Sequence, residues 1–327
     1  MLRAARPSCP EPPRMLVDAW PTVSRSQYDI SVAVPYRLDL TVSVLRRLST
    51  NIVDVVTPDG QYVRALGGSR ESVIARVTQV DPETLTVTVH GNEGAHSRAL
   101  ALMRRMLGVD RDLTHFNRAA AEIPWLRPLV ARMRGVKPPR YPTLWEACAN
   151  AIIFQQISLA AASAIMRRLV IDLGSSFDSD GVALNAFPTA ENVQGAEDRV
   201  LRAAGLSAGK LMTLRRVSGA LAAGTLDEAM LEERSSPEAA ALLRQIKGIG
   251  PWTAAVILLR GLGRLDVFPA NDTSVARNLA IVSGAAPIEI GGILDALRPQ
   301  QGMLYYHLLL ARLEARGDLG RASVPRC

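Results

Sequence analysis

Residues 242–279 read LLRQIKGIGPWTAAVILLRGLGRLDVFPANDTSVARNL. Apolar spacing of helical period runs up to Ile246, Gly248 and Gly250 bracket Ile249, and Pro251 stands where a second helix begins. Glycines permit the left-handed backbone of a tight turn and let another backbone come close. Proline at a first helical position gives up only an amide that has no partner there. The expected product is a helix, a short hairpin and a second helix over residues 253–260, with free amides directed outward. Such amides attract anions, so a phosphate group suits the turn. Beyond a glycine-rich loop the chain passes Val267 and Phe268 to Asn271 and Asp272, and a helical pattern resumes over 273–281. Asp272 therefore falls at a helix N-terminus, where a carboxylate caps well. With Asn271 beside it able to cap instead, Asp272 is available for another role.

The chain has 327 residues, 48% of them apolar and 21% charged, which is enough to bury a sizeable core and excludes a disordered polyelectrolyte. Its net charge of +7 suits a polyanionic partner. The cysteines, Cys9, Cys148 and Cys327, are too scattered for a disulfide framework or a zinc site. The four histidines, at 90, 96, 115 and 307, share no metal-ligand spacing. No apolar run approaches the length of a membrane span, and a cytoplasmic protein acting on DNA in the nucleoid is expected.

Residues 1–26 are rich in Pro, Ser and Arg without periodicity and read as a flexible tail. From Tyr28 the pattern alternates with period two, a helical pattern follows through Leu38, Leu45 and Leu48, and strand-like runs recur over 52–56, 61–66, 72–79 and 84–90. Pro58-Asp59-Gly60, Gly67-Gly68-Ser69 and Asp81-Pro82 supply the turns between them. Residues 27–94 thus form a small antiparallel sheet with a helix. Everything after about residue 95 reads as helices, giving an all-helical region over 95–327 that contains the helix-hairpin-helix at 242–260. The fold class is α+β, mostly helical. Trp125 and Trp145 read as core or interface residues.

Gly248-Ile249-Gly250-Pro251-Trp252-Thr253-Ala254, Leu259-Arg260-Gly261, Val267-Phe268 and Asp272 with Arg277 resemble the helix-hairpin-helix superfamily of DNA glycosylases, and within it the 3-methyladenine DNA glycosylase II family. A second block, Trp145-Glu146-Ala147 and then Ala151 through Phe154-Gln155-Gln156-Ile157-Ser158, is similar to the helix that precedes the DNA-wedging turn of that family. The similarity spans roughly residues 27–315. It implies a monofunctional glycosylase that flips an alkylated purine out of damaged double-stranded DNA, excises it and so initiates base excision repair, acting as a monomer and without a cofactor. A glycosylase for other damaged or mismatched bases, or a non-catalytic DNA-binding protein, would share most of these features.

Under this resemblance Asp272 is the catalytic candidate, its charge opposing the sugar cation or orienting the attacking water. Trp252 offers an electron-rich face to a cationic base, a contact worth about 0.5–2 kcal/mol. Phe154 and Tyr305 are expected to complete the base pocket. Gly248, Ile249, Gly250, Thr253 and Arg277 are expected to hold phosphates, with Gln155, Gln156, Ile157 and Ser158 at the wedge. The family's hairpin holds a monovalent cation, which the resemblance puts at the carbonyls of Lys247 and Ile249. Relatives that also nick the strand carry a Schiff-base lysine where this chain has Trp252. Val256 and Gln300 stand where some relatives have aromatic residues, so the resemblance leaves the substrate range open.

Overall fold

The computed structural model describes residues 15–16, 23–67, 72–269, 272–283 and 288–319. Asn271, read above as an alternative cap, lies outside them, as does most of the expected N-terminal tail. The first long strand already begins within that tail, at Val23. In chain order the first elements are β1 Met15–Leu16, β2 Val23–Ser31, α1 Leu38–Arg46, β3 Val55–Val56, β4 Tyr62–Leu66, β5 Val73–Asp81, β6 Thr84–Asn92 and α2 His96–Leu107. Strands β2 to β6 make one antiparallel sheet of order β2-β6-β5-β4-β3, with Tyr28 opposite Val87 and Val77 opposite Val87 on the other side.

The sheet is covered on both faces, which explains why β4 is buried at all five positions instead of alternating. Tyr62 and Leu66 point to α1 and α2, where Val42, Leu45, Met103 and Met106 pack against them. Val63 and Ala65 point the other way, to Phe177 and Leu184. Those two residues belong to a hairpin, β7 Ser176–Ser179 and β8 Val182–Asn185, inside the region expected to be wholly helical. The expectation fails here for a legible reason. Asp180 (φ 50°) and Gly181 (φ 74°) make a two-residue turn with both central residues left-handed, the Asp-Gly signature of a tight hairpin. β1 pairs in parallel with β7, so residues 15–16 are also part of the structure.

The helical region continues with α3 Thr114–Ala121, α4 Arg127–Arg132, α5 Leu144–Ile153, α6 Leu159–Leu173, α7 Ala190–Gly195, α8 Asp198–Ala203, α9 Ala208–Ala222, α10 Glu228–Glu232, α11 Ser236–Arg244, α12 Pro251–Gly261, α13 Thr273–Ser283, α14 Ile290–Ala296 and α15 Gly302–Ala315. Two cores organise them. One packs α5 and α12 against α9 and α11, and takes in Trp145, whose indole donates to the Pro188 carbonyl at 2.8 Å. The other packs α3, α4, α13 and α15, and includes Leu40 and Val44 of α1. Helix α1 is therefore shared between the sheet and the helices. At the same junction the fully buried Arg64 of β4 donates to Asp54 and, at 2.6 Å, to both carboxylate oxygens of Glu146 on α5. Among the described residues no helix is long and apolar enough to cross a membrane.

Candidate functional site

Helices α11 and α12 are joined by the Gly248–Gly250 turn. Gly248 has φ 106°, a left-handed conformation, and a Cβ there would stand 1.9 Å from Thr213 Oγ1 on α9. Only glycine fits. Gly250 differs from expectation: its φ of −91° is ordinary and a Cβ would meet nothing within 4 Å, so its role is to lead the chain into α12 as N-cap. The Ile249 side chain is buried in the first helical core, which contributes about 2 kcal/mol and anchors the turn from beneath. The first backbone amide bonded within the α12 turn is that of Ala254, to Gly250 O at 3.0 Å, so the amides of Trp252 and Thr253 remain directed out of the helix end.

Between α5 and α6 the chain makes the turn expected to wedge DNA. Gln156 takes a left-handed backbone (φ 54°), and the side chains of Gln156 and Ile157 are exposed at its tip. Such a conformation is uncommon outside glycine and costs on the order of 1–3 kcal/mol, strain of a kind that gathers at functional sites. The turn is clamped from two directions. Gln155 Nε2 donates to Gly248 O at 3.1 Å and to Thr253 Oγ1 at 2.5 Å. Lys210 Nζ, on α9, donates to the carbonyls of Ile153 at 2.7 Å and Gln155 at 2.9 Å, and burial holds its pKa below the ordinary lysine value. Ser158 Oγ accepts from the Ala161 amide at 3.2 Å and caps α6. Thr253 Oγ1 and Ser158 Oγ each thus accept one hydrogen bond from within the chain.

Asp272 immediately precedes α13: its amide donates to Pro269 O at 3.3 Å, and its carbonyl accepts from the Val275 amide at 2.9 Å. It is half-buried on the wall of a cleft of about 990 Å³. That one cleft gathers every expected site residue except Lys247: Phe154 to Ser158 from the wedge, Gly248 to Gly250, Trp252 and Thr253 from the hairpin, and Asp272, Arg277 and Tyr305 opposite. Trp252 is half-buried, with its indole Nε1 sealed from solvent and bonded to nothing described. Burial pushes the Tyr305 phenol above its ordinary pKa; the charges of Arg47 and Arg260 oppose the shift and that of Asp272 reinforces it. Tyr305 therefore feels the carboxylate and the arginines together. Arg312 also lines the cleft, its pKa lowered by burial and by Arg316 and Arg277, with Asp272 acting the other way.

At the hairpin, where the resemblance puts a cation, Lys247 O accepts from the Arg216 guanidinium at 3.2 Å in an exposed contact. Sequence reading missed Lys210, Arg216, Arg312, Asn278 and Arg47. Lys210 and Arg216 come from α9 and Arg47 from the end of α1, which no local pattern marks, whereas Asn278 and Arg312 lie on α13 and α15, the elements that also carry Arg277 and Tyr305. Arg47, at the end of α1, lies with its Cζ 4.3 Å from the centroid of the Phe154 ring.

Residues 149–289 match the family model for the HhH-GPD superfamily base excision DNA repair protein. The chain is 30% identical over 65% of its length to a Mycobacterium tuberculosis protein named "Probable bifunctional transcriptional activator/DNA repair enzyme AlkA", covering 42% of that protein. It is 25% identical to DNA-3-methyladenine glycosylase 2 of Escherichia coli, over 86% of this chain and 96% of the relative. It spans about half the length of several of the curated relatives it matches. The solved 3-methyladenine DNA-glycosylase from Archaeoglobus fulgidus superposes with a TM-score of 0.73 at 25% identity, over 88% of this chain and 99% of the other. The hairpin, the turn between α5 and α6, and Asp272, which share one cleft, all fall within the stretch 149–289 that is similar to the HhH-GPD superfamily base excision DNA repair protein.

Proposed function

We propose that the chain is a monofunctional DNA glycosylase that removes alkylated purines from double-stranded DNA. The observation that carries the reading is the placement of Asp272 on the same cleft wall system as Trp252 and the outward amides of the hairpin. A base cannot be reached inside the stack, so the nucleotide must swing out. The α12 amides and Arg277 take phosphate oxygens, which positions the strand without reading sequence. Gln156, at the exposed tip of the clamped turn, fills the space the base leaves. In the cleft the base lies against Trp252.

The glycosidic bond then breaks with its electron pair leaving on the base, and positive charge grows on the deoxyribose. Alkylation has already made the base cationic, so it departs without a general acid. Asp272 stabilises the sugar cation in a site with little water, where a charge acts strongly. Water adds to the sugar carbon, gives up a proton and leaves an abasic strand. The reading that no strand nicking follows rests on the cleft lining, which among the described residues includes arginines but no lysine. The activity carried in the names of the Escherichia coli and Archaeoglobus fulgidus proteins supports the alkylated-purine assignment. Incubation with methylated duplex DNA, followed by analysis of free bases, tests it: release of methylated purines is expected, and release of none would overturn it.

A further inference from the structure

We propose that Arg47 is a specificity-determining residue that donates to the 6-oxo edge of the flipped purine, so that the site favours 6-oxopurines over 6-aminopurines. This deepens the glycosylase reading and rests on it. Arg47 caps α1 with a left-handed backbone (φ 57°), which turns the side chain inward to the cleft instead of out to solvent. The residue is nine-tenths buried, and its guanidinium Nε is sealed from solvent and bonded to nothing described. The neighbouring carboxylates are already engaged: Asp54 takes Arg64 and the Tyr62 hydroxyl, and Glu146 takes Arg64 at both oxygens. Beside it lies Arg260, a second buried cation. A buried guanidinium with open donors and a like charge for a neighbour is costly unless a ligand brings an acceptor.

The geometry indicates which acceptor. The phosphates of a bound strand belong at the rim, with the hairpin amides and Arg277. Arg47 lies inside, one flat face stacked on Phe154, which leaves the edge of its donor fork for a group in its own plane. Asp272, Arg47 and Tyr305 line the same cleft, so the carboxylate and the arginine share the space that a base would fill. A purine carbonyl at position 6 accepts from the fork. An amino group at position 6 presents hydrogens to it and is rejected.

The substrates that test this effect are 7-methylguanine and 3-methyladenine in one methylated duplex. Both are alkylated and cationic, which removes the ring charge from the comparison; they differ at position 6, at position 2 and in the methylated nitrogen, so the measured quantity is the change in their ratio when the Arg47 fork is removed. Single-turnover release of both is followed for the wild type, Arg47→Met and Arg47→Lys, alongside affinity for a duplex with an abasic site. In Arg47→Met, release of 7-methylguanine is expected to fall about tenfold or more relative to 3-methyladenine, with abasic-site affinity within twofold. Arg47→Lys, which keeps the charge and the stem, should shift the ratio the same way by less, and serves if the Met variant does not fold. Equal loss of both bases, an unchanged ratio, or a tenfold loss of abasic-site affinity would overturn the assignment, the last by showing a phosphate contact. Release of neither base by the wild type would instead sink the glycosylase reading itself.

Discussion

Gln155 and Thr253 are joined side chain to side chain at 2.5 Å, and the same Gln155 amide donates to Gly248 O at 3.1 Å. The turn proposed to enter DNA and the hairpin proposed to hold its phosphates are therefore fixed to each other across nearly a hundred residues of sequence. Gln155→Ala removes both bonds and lets the Gln156 tip move relative to the hairpin. Excision from duplex DNA should slow by about tenfold, since the two bonds contribute about 1 kcal/mol each at most to the flipped complex. Excision from a methylated single strand, which needs no wedge, should change little. Equal slowing on both substrates would contradict the proposed coupling.

Gly248 and Gly250 are adjacent in the motif and unlike in their surroundings. Gly248→Ala puts a methyl group against Thr213 Oγ1, which cannot swing freely because it donates to Gly209 O at 2.8 Å, and adds a left-handed backbone penalty. The expected loss is about 2–4 kcal/mol, seen as a melting temperature several degrees lower. Gly250→Ala meets open space at an ordinary φ and should melt within a degree or two of the wild type. Equal destabilisation by the two changes would show that the packing on α9 is not what selects glycine.

Much of the fold was legible in the sequence. Period-two runs marked the sheet, period-3.6 runs marked α5, α12 and α13, and Gly-Ile-Gly-Pro marked the hairpin. The β7–β8 hairpin was missed although Asp180-Gly181 announces it, because its strands are only four residues long and sit among helices. The site was legible where one element supplies neighbouring residues, as in the wedge and the hairpin. Arg47 and Lys210 were not, since what places them is the packing of α1 and α9 against the cleft rather than any local pattern.

His307 is buried on α15, donates from Nδ1 to Met303 O at 2.9 Å and packs its ring 4.9 Å from that of Phe116. Burial lowers its pKa from 6.5 to about 4. The unfolded chain then takes up a proton below pH 6.5 that the folded chain refuses until about pH 4. Stability from this group is complete above 6.5 and is lost as the pH falls through that window, by about 3 kcal/mol in all. Denaturant unfolding of the wild type and His307→Gln between pH 7 and 4.5 checks this. The variant should show a slope shallower by about one proton, and an identical slope would mean that His307 is not held neutral.

Cleavage should stop at the abasic strand. The resemblance puts Trp252 where strand-nicking relatives carry the Schiff-base lysine, and the Lys210 ammonium donates to the carbonyls of Ile153 and Gln155. Borohydride added during turnover should trap no covalent protein–DNA adduct, and strand breaks should appear only after alkali. A trapped adduct would identify an amine nucleophile and end the monofunctional reading.

The charge of Asp272 is proposed to drive bond cleavage, and Asp272→Asn puts that charge to the test. The substitution keeps the shape and the ability to cap α13 and removes the negative charge. Single-turnover release of methylated purines should fall by a factor on the order of hundreds or more, with affinity for an abasic duplex and the melting temperature nearly unchanged. Near-normal release by a folded Asp272→Asn protein would contradict the account and leave Asp272 as a helix cap.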